Sequence, residues 1–204
     1  MYESACWAEG FQRVAGVDEV GRGPLAGPVV AACVILPPDF DTEGINDSKK
    51  LTARAREAAY ERITGGAAAW ALGMADAGEI DKINILRATH VAMARAMAAL
   101  MPQPDFLLVD GLPVPGLPCP NQRALVGGDA LSVSIAAASI VAKVTRDRMM
   151  VEADECYPQY GFAGHKGYGS ASHIAALREH GPCPLHRRSF SPVAQVLARQ
   201  LALG

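Results

Sequence analysis

Four acidic side chains stand where apolar or glycine-rich sequence delivers them: Asp18 and Glu19 after the run Val14 to Val17, Asp110 after Leu107 to Val109, and Asp129 after Gly127-Gly128. An apolar approach implies burial, and carboxylates buried together repel one another and rise in pKa unless a cation neutralises them. Oxygen ligands of this hard, anionic kind suit Mg²⁺ or Mn²⁺, and paired divalent ions can clamp the attacking and leaving oxygens of a phosphodiester displacement. Each acid also has an ordinary reading. Asp110-Gly111 has the form of a turn, Asp129 could cap the helix that follows it, and Asp18 and Glu19, as neighbours, face opposite sides of a regular strand. Both serve one cation only if the strand ends or bulges at Glu19, or if Glu19 acts through its backbone or a bridging water.

Gly21-Arg22-Gly23-Pro24 follows directly. Its glycines let the backbone approach a ligand closely, and Arg22 can meet a phosphate. The segment lacks the Gly-Lys-Ser/Thr ending of a P-loop and the third glycine of a dinucleotide fingerprint, so by itself it is equally a hairpin turn. Lys49, Lys50, Lys143, Arg146 and Lys166 are further candidates for phosphate contacts, each also at home on a solvated face, with Ser48 and Ser139 as auxiliary polar groups. His165 and His173 could be read as transition-metal ligands, although an oxygen-rich site needs no imidazole.

The elements that must position these groups are legible in outline. Arg13 to Val20 and Pro28 to Leu36 read as two adjacent strands around a glycine-rich turn. Thr52 is placed to cap a helix running to about Ile63, and Ala67 to Ala75 suits a third strand. From Asp81 to Leu100 the stripe Leu86, Met93, Met97, Leu100 predicts one helix. Phe106 to Val109 is a buried strand carrying Asp110 at its end, after which Pro113, Pro115, Pro118 and Pro120 forbid regular structure. Val133, Ala137, Ile140, Val141 and Val144 predict a long helix from Ser132 to about Glu155, with Lys143 and Arg146 on another side of it. Tyr157 to Gly169, rich in Gly, His and Tyr, suits a functional loop, and helices are expected at Ser170 to His180 and Ser191 to Leu201. The pattern is α/β, a central mixed sheet flanked by helices, in a single domain over 1–204 whose residues from about 157 form a small helical C-terminal extension.

Composition narrows the classes further. Half of the 204 residues are hydrophobic and 20% are charged, which fits one sizeable globular domain and excludes disorder. The longest weakly charged stretches, Pro28 to Pro38 and Ala130 to Ala142, fall short of the roughly 18 residues of a membrane span. Residues Met1 to Gly10 lack the basic and apolar regions of a signal peptide. Five scattered cysteines without a Cys-x-x-Cys pair disfavour a disulfide framework and a zinc knuckle. A cytoplasmic monomer is the expectation. The net charge of −2 is unpromising for nucleic acid, yet Phe162 to Pro192 carries Lys166, Arg178, Arg187 and Arg188 against Glu179 alone, so Arg187 and Arg188 join the candidate phosphate contacts.

Taken together the segments resemble the ribonuclease HII family. The resemblance is carried by AGVDEVGRGPLAGPVVAACVIL at Ala15 to Leu36, DSKKLT at Asp47 to Thr52, LLVDG at Leu107 to Gly111, GGDALSVSIAAASIVAKVTRDR at Gly127 to Arg148, YGFAGHKGYGSASH at Tyr160 to His173 and HRRSFSPV at His186 to Val193. It implies a ribonuclease H-like fold and a metal-binding catalytic set at Asp18, Glu19, Asp110 and Asp129. It further implies that Gly21, Arg22 and Gly23 read the 2′-hydroxyl where RNA passes into DNA, with Tyr168 stacked on the neighbouring sugar. That hydroxyl is the group by which a protein tells RNA from DNA. The implied substrates are RNA/DNA hybrids and duplex DNA containing ribonucleotides, cut by an activated water to leave 3′-hydroxyl and 5′-phosphate ends. Gly127 and Leu131 depart from the family pattern, which carries basic residues there. The rivals are a non-catalytic nucleic-acid-binding module, for which four retained acids are the wrong charge, and another metal-dependent phosphoesterase, which would not need the GRG and HKGYG segments.

Overall fold

The computed structural model describes residues 2–45, 48 and 51–203. Contacts divide the chain into two compact units: one takes in the chain up to Val20, Val30–Met74 and Thr89–Val144, the other Gly21–Val29, Ala75–Ala88 and the chain from Thr145 onward.

The first unit is built on a five-stranded mixed sheet. Its strands are β1 (Val14–Val20), β2 (Val29–Ile35), β3 (Ala69–Ala75), β4 (Phe106–Asp110) and β5 (Gln122–Leu125), in the order β3-β2-β1-β4-β5. β1 pairs antiparallel with β2 and parallel with β4, and β4 pairs parallel with β5. β2 is buried along its whole length, which explains a sequence of small and β-branched residues with no polar alternation.

Helices cover the sheet. α1 (Tyr2–Ala8) brings Cys6 against Val14, Phe106, Leu108 and Leu125. α2 (Ala53–Gly66) starts at Thr52, whose hydroxyl accepts from the Ala55 N–H at 3.2 Å, and buries Ala59 and Ile63 against Ala32 and Val34. α4 (Ile85–Ala99) lies on β3 so closely that a Cβ on Gly73 would stand 2.1 Å from the Ala92 oxygen. α5 (Val133–Cys156) contributes Ala137 to Val144 to the core of this unit.

The second unit holds α3 (Ala77–Ile83), the end of α5, the four-residue α6 (Phe162–His165), α7 (Ala171–His180) and α8 (Ser191–Leu203). Two apolar clusters hold it together: Ala26, Met150, Tyr160, Phe162 and Cys183, and Leu25, Leu177, Val193 and Val196.

Three expectations change. The helix expected from Asp81 to Leu100 is two, α3 and α4, because Asn84 adopts φ +65 and ends the first; Leu86, at the start of the second, is 51% exposed and outside the stripe. Tyr157 to Gly169 is not a plain loop: it is wound into a 3₁₀ turn (Pro158–Tyr160) and α6, and buries Tyr160 and Phe162. β5 and α1 were not expected at all. Among the described residues no helix is long and apolar enough to cross a membrane.

Candidate active site

The last rung of the β1–β4 ladder pairs Val17 with Val109. The next residue on each strand is a carboxylate, Asp18 within β1 and Asp110 at the end of β4, so the two leave neighbouring strands toward the same face. Asp18 shares its face with Gly16, where a Cβ would stand 2.1 Å from the Ser134 carbonyl carbon; glycine lets the start of α5 lie directly on the strand. From that helix Ser139 hydrogen-bonds Asp18, and its hydroxyl is 2.9 Å from that of Ser48. Asp18 is 6% exposed. Burial first, and then the neighbouring charges of Glu19 and Asp110, hold its carboxyl well above the usual carboxylate range.

The register of β1 against β2 runs unbroken from Ala15 to Val20, pairing Asp18 with Ala32 and Glu19 with Ala31, so there is no bulge at Glu19. Glu19 is half-buried and its N–H donates to Asp18 Oδ1 at 2.7 Å. Asp110 Oδ1 accepts from the Gly128 N–H at 2.7 Å, which brings Asp129, in the 3₁₀ turn Gly128–Ala130, next in sequence to a residue bound to Asp110. Asp129 lines a surface cleft with Thr42, Ile45 and Ser132. The cap of α5 is Ser132, whose hydroxyl accepts from the Ile135 N–H at 3.2 Å.

Among the described residues no three His, Cys, Asp or Glu side chains stand close enough together to form a ready metal cage. The donor chemistry nevertheless fits a hard divalent cation: the groups are carboxylate oxygens, and burial with the charges of Glu19 and Asp110 disfavours the ionised form of Asp18, a penalty a cation beside it would relieve.

In the second unit the GRG and HKGYG segments are fastened to one another. Leu25 N–H donates to the Gly167 oxygen at 2.8 Å, and a Cβ on Gly167, itself at φ +83, would stand 2.5 Å from the Ala26 oxygen. Tyr168 is 45% exposed, with its ring edge 3.7 Å from where a Gly23 Cβ would be. Arg22 and Gly23 are exposed and Gly21 is buried.

Two basic candidates take a different role from the one expected. Arg146 and Arg187 are both 0% exposed, so neither presents its charge to a phosphate in this structure. Arg146 donates to the carbonyls of Pro28 (2.9 Å), Lys166 (3.0 Å) and Ala26 (3.1 Å). Arg187 donates to those of Gly27 (3.0 and 2.8 Å), Arg22 (2.9 Å) and Gly21 (2.5 Å). Burial and the neighbouring Arg146 charge push Arg187 down to about 9, still protonated at neutral pH. The planar guanidinium fork, rich in donors, is what holds several backbone oxygens of one loop at once. Lys166, in a left-handed conformation, turns its ammonium to the Ala163 oxygen. Lys143 is half-buried one helical turn from Ser139, and Arg188 is exposed. Lys49 and Lys50 lie outside the described residues.

Three further residues were invisible to pattern reading. Glu3, 1% exposed, accepts from Ser132 Oγ at 2.6 Å and Ser134 N–H at 2.9 Å, securing the start of α5. Asp81 accepts from the backbone N–H groups of Arg188 and Ser189, both at 2.9 Å. His186 is buried against His173 rather than beside any acid. Each depends on a partner distant in sequence, so no local spacing signals it.

The same architecture recurs in solved structures. The ribonuclease H2 of Pyrococcus horikoshii superposes with a TM-score of 0.77 at 27% identity, over 92% of this chain and 98% of that one. The fold is thus that of the ribonuclease H-like class. The family model for ribonuclease HII matches residues 15–193. The ribonuclease HII of Desulfitobacterium hafniense is 55% identical over 195 residues, 96% of this chain and 75% of its own length, and that of Syntrophotalea carbinolica 54% over 197 residues, 96% and 93%. The chain belongs to the ribonuclease HII family, and it is a metal-dependent endonuclease acting on RNA/DNA hybrids.

Proposed function

We propose that the enzyme cuts the RNA strand of RNA/DNA hybrids and also cuts at single ribonucleotides embedded in duplex DNA, leaving 3′-hydroxyl and 5′-phosphate ends, as a cytoplasmic monomer. The observation that carries the reading is Asp18: a buried carboxylate pressed by the charges of Glu19 and Asp110, three residues ahead of the Gly21-Arg22-Gly23 segment. Asp18 and Asp110 would hold the divalent cation, Mg²⁺ or Mn²⁺, with Glu19 and Asp129 completing the set. Bound there, the cation supplies activation of the attacking water and neutralisation of the phosphodiester charge.

The chain's own groups do the rest. Ser139 and the Glu19 N–H orient the Asp18 carboxylate, and the Gly128 N–H orients that of Asp110. Gly21 to Gly23, with the Gly21 and Arg22 carbonyls held by Arg187, read the 2′-hydroxyl through the backbone, and Tyr168 stacks on the adjacent sugar. Among the described residues Lys143, Lys166, Arg188 and Arg22 remain candidates to meet phosphates, and Lys49, outside them, stays a candidate as well. The test is a labelled DNA duplex with one ribonucleotide, beside a full hybrid and an all-DNA duplex, with Mg²⁺, Mn²⁺ or chelator. Cleavage of the first two alone, and only with metal, is expected; cleavage of the all-DNA duplex at a comparable rate would overturn the 2′-hydroxyl reading. A single light-scattering mass of one chain checks the monomer.

A further inference from the structure

His173 and His186 are 0% and 2% exposed and belong to no catalytic group, yet their hydrogen bonds assign every ring proton. The Tyr168 carbonyl can only accept, so His173 Nδ1, 2.8 Å away, carries a proton and donates it. The Cys183 N–H donates to His186 Nδ1 at 3.0 Å, so that nitrogen is bare. The two Nε2 atoms face each other at 3.0 Å. With one proton per ring, His186 Nε2–H donates to the bare Nε2 of His173, and all four nitrogens are satisfied. A second proton on His173 would set two N–H groups head to head.

The surroundings keep the rings uncharged. His165 stacks on His173 with ring centroids 4.4 Å apart, Phe162 meets it edge-on at 5.5 Å, and Tyr160 lies 4.8 Å from His186. Cys183 Sγ is 3.1 Å from His186 Nδ1. Among the described residues no group of three or more His, Cys, Asp or Glu side chains is arranged to hold a metal, and the facing lone pairs here are already used.

The output of the chain is Tyr168. Its carbonyl takes His173 Nδ1–H and the Ser170 N–H, each at 2.8 Å, and its own N–H donates to the His165 oxygen at 2.9 Å. The ring beyond is almost half exposed, so its direction is set chiefly by the backbone that carries it. We propose that His173, supported by His186, is a positioning residue: a pair of neutral imidazoles in fixed tautomers that aims the Tyr168 ring for substrate recognition. The proposal rests on the reading of Tyr168 as a stacking platform.

Asn at 173 can offer an N–H near the Nδ1 position, whereas Gln offers one near Nε2, so the pair reads the bond to Tyr168 at nearly constant polarity. Single-turnover cleavage of a one-ribonucleotide duplex is measured for His173→Asn and His173→Gln, each also combined with Tyr168→Ala. Misaiming a recognition group costs roughly tenfold or more in such sites. The Asn variant is expected within about threefold of the parent, and the Gln variant about tenfold down in kcat/KM with the saturated rate much less changed. In the Tyr168→Ala background the Asn–Gln difference should vanish. Equal rates for Asn and Gln, or a Gln deficit undiminished by Tyr168→Ala, would overturn the positioning role while leaving the stacking reading intact. Parental activity of Tyr168→Ala alone would overturn both. Should the His173 variants not fold, His186→Gln against His186→Leu repeats the comparison one bond further out, Gln being expected to retain activity that Leu loses; equal activities overturn the relay.

Discussion

Asp18→Asn separates the fold from the chemistry in opposite directions. The substitution is isosteric, and an Asn Oδ1 still accepts the Glu19 N–H that Asp18 Oδ1 now accepts at 2.7 Å. What it removes is charge. Asp18 and Asp110 follow the last β1–β4 rung, and neighbouring strands lie about 4.8 Å apart. Two carboxylates about 5 Å apart repel by about 3 kcal/mol at an effective dielectric of about 20. Partial protonation and salt reduce this, so the metal-free variant should gain about 1–3 kcal/mol. For a chain of this length each kcal/mol moves Tm by about 2–4 °C, a rise of about 2–12 °C in chelator. Because the folded pKa of Asp18 is raised, the penalty is absent below its unfolded pKa and grows as pH rises, so the gain should shrink toward pH 4. Saturating Mg²⁺ or Mn²⁺ should reverse the order, since the parent then gains binding energy the variant lacks. Cleavage should be abolished throughout. Thermal unfolding in chelator and in metal, beside hybrid cleavage, reads all of this. A variant less stable than the parent in chelator, or one with near-parental turnover, would refute the carboxylate repulsion and the assignment of Asp18 respectively.

Arg187→Met should destabilise by about 3 kcal/mol or more, because it strands the carbonyls of Gly21, Arg22 and Gly27 without their donors; urea unfolding checks it, and a loss under 1 kcal/mol, taken as about the cost of one neutral hydrogen bond, would show that water replaces the guanidinium. His186 is held down to about 4 by burial and by His173, so the stability of its neutral form is present above the unfolded value of 6.5 and is lost as pH falls toward 4. That loss amounts to about 3 kcal/mol, measured as the parent's extra acid sensitivity over His186→Gln; identical pH profiles would count against it. Tyr168→Phe should keep most single-turnover activity on a one-ribonucleotide duplex, while Tyr168→Ala should lose a factor equivalent to roughly 1–3 kcal/mol of stacking; equal rates for Ala and the parent would make Tyr168 an ordinary turn residue.

Elements whose signals are local are legible in the amino-acid order alone. Val14 to Val17 and Leu107 to Val109 are apolar runs that read as buried strands, and each is followed by an acid, Asp18 inside β1 and Asp110 at the end of β4. Thr52 and Ser170 cap α2 and α7 as their side-chain chemistry requires. Order of motifs along the chain was enough to reach the family, since the resemblance needs no coordinates. β5 escaped because Gln122 to Leu125 is short, polar and exposed over half its length, and the break at Asn84 because a left-handed residue leaves the hydrophobic stripe around it almost unchanged. The fate of the cations, by contrast, was set only on folding. Arg146 and Arg187 read as surface charge, since burial of a guanidinium is favourable only where several carbonyls converge on it, and those carbonyls lie between 20 and 166 residues away in sequence. The same holds for His173 and His186, thirteen residues apart: which nitrogen of each ring carries its proton is set by the partners that folding brings to it, and no spacing along the chain encodes those.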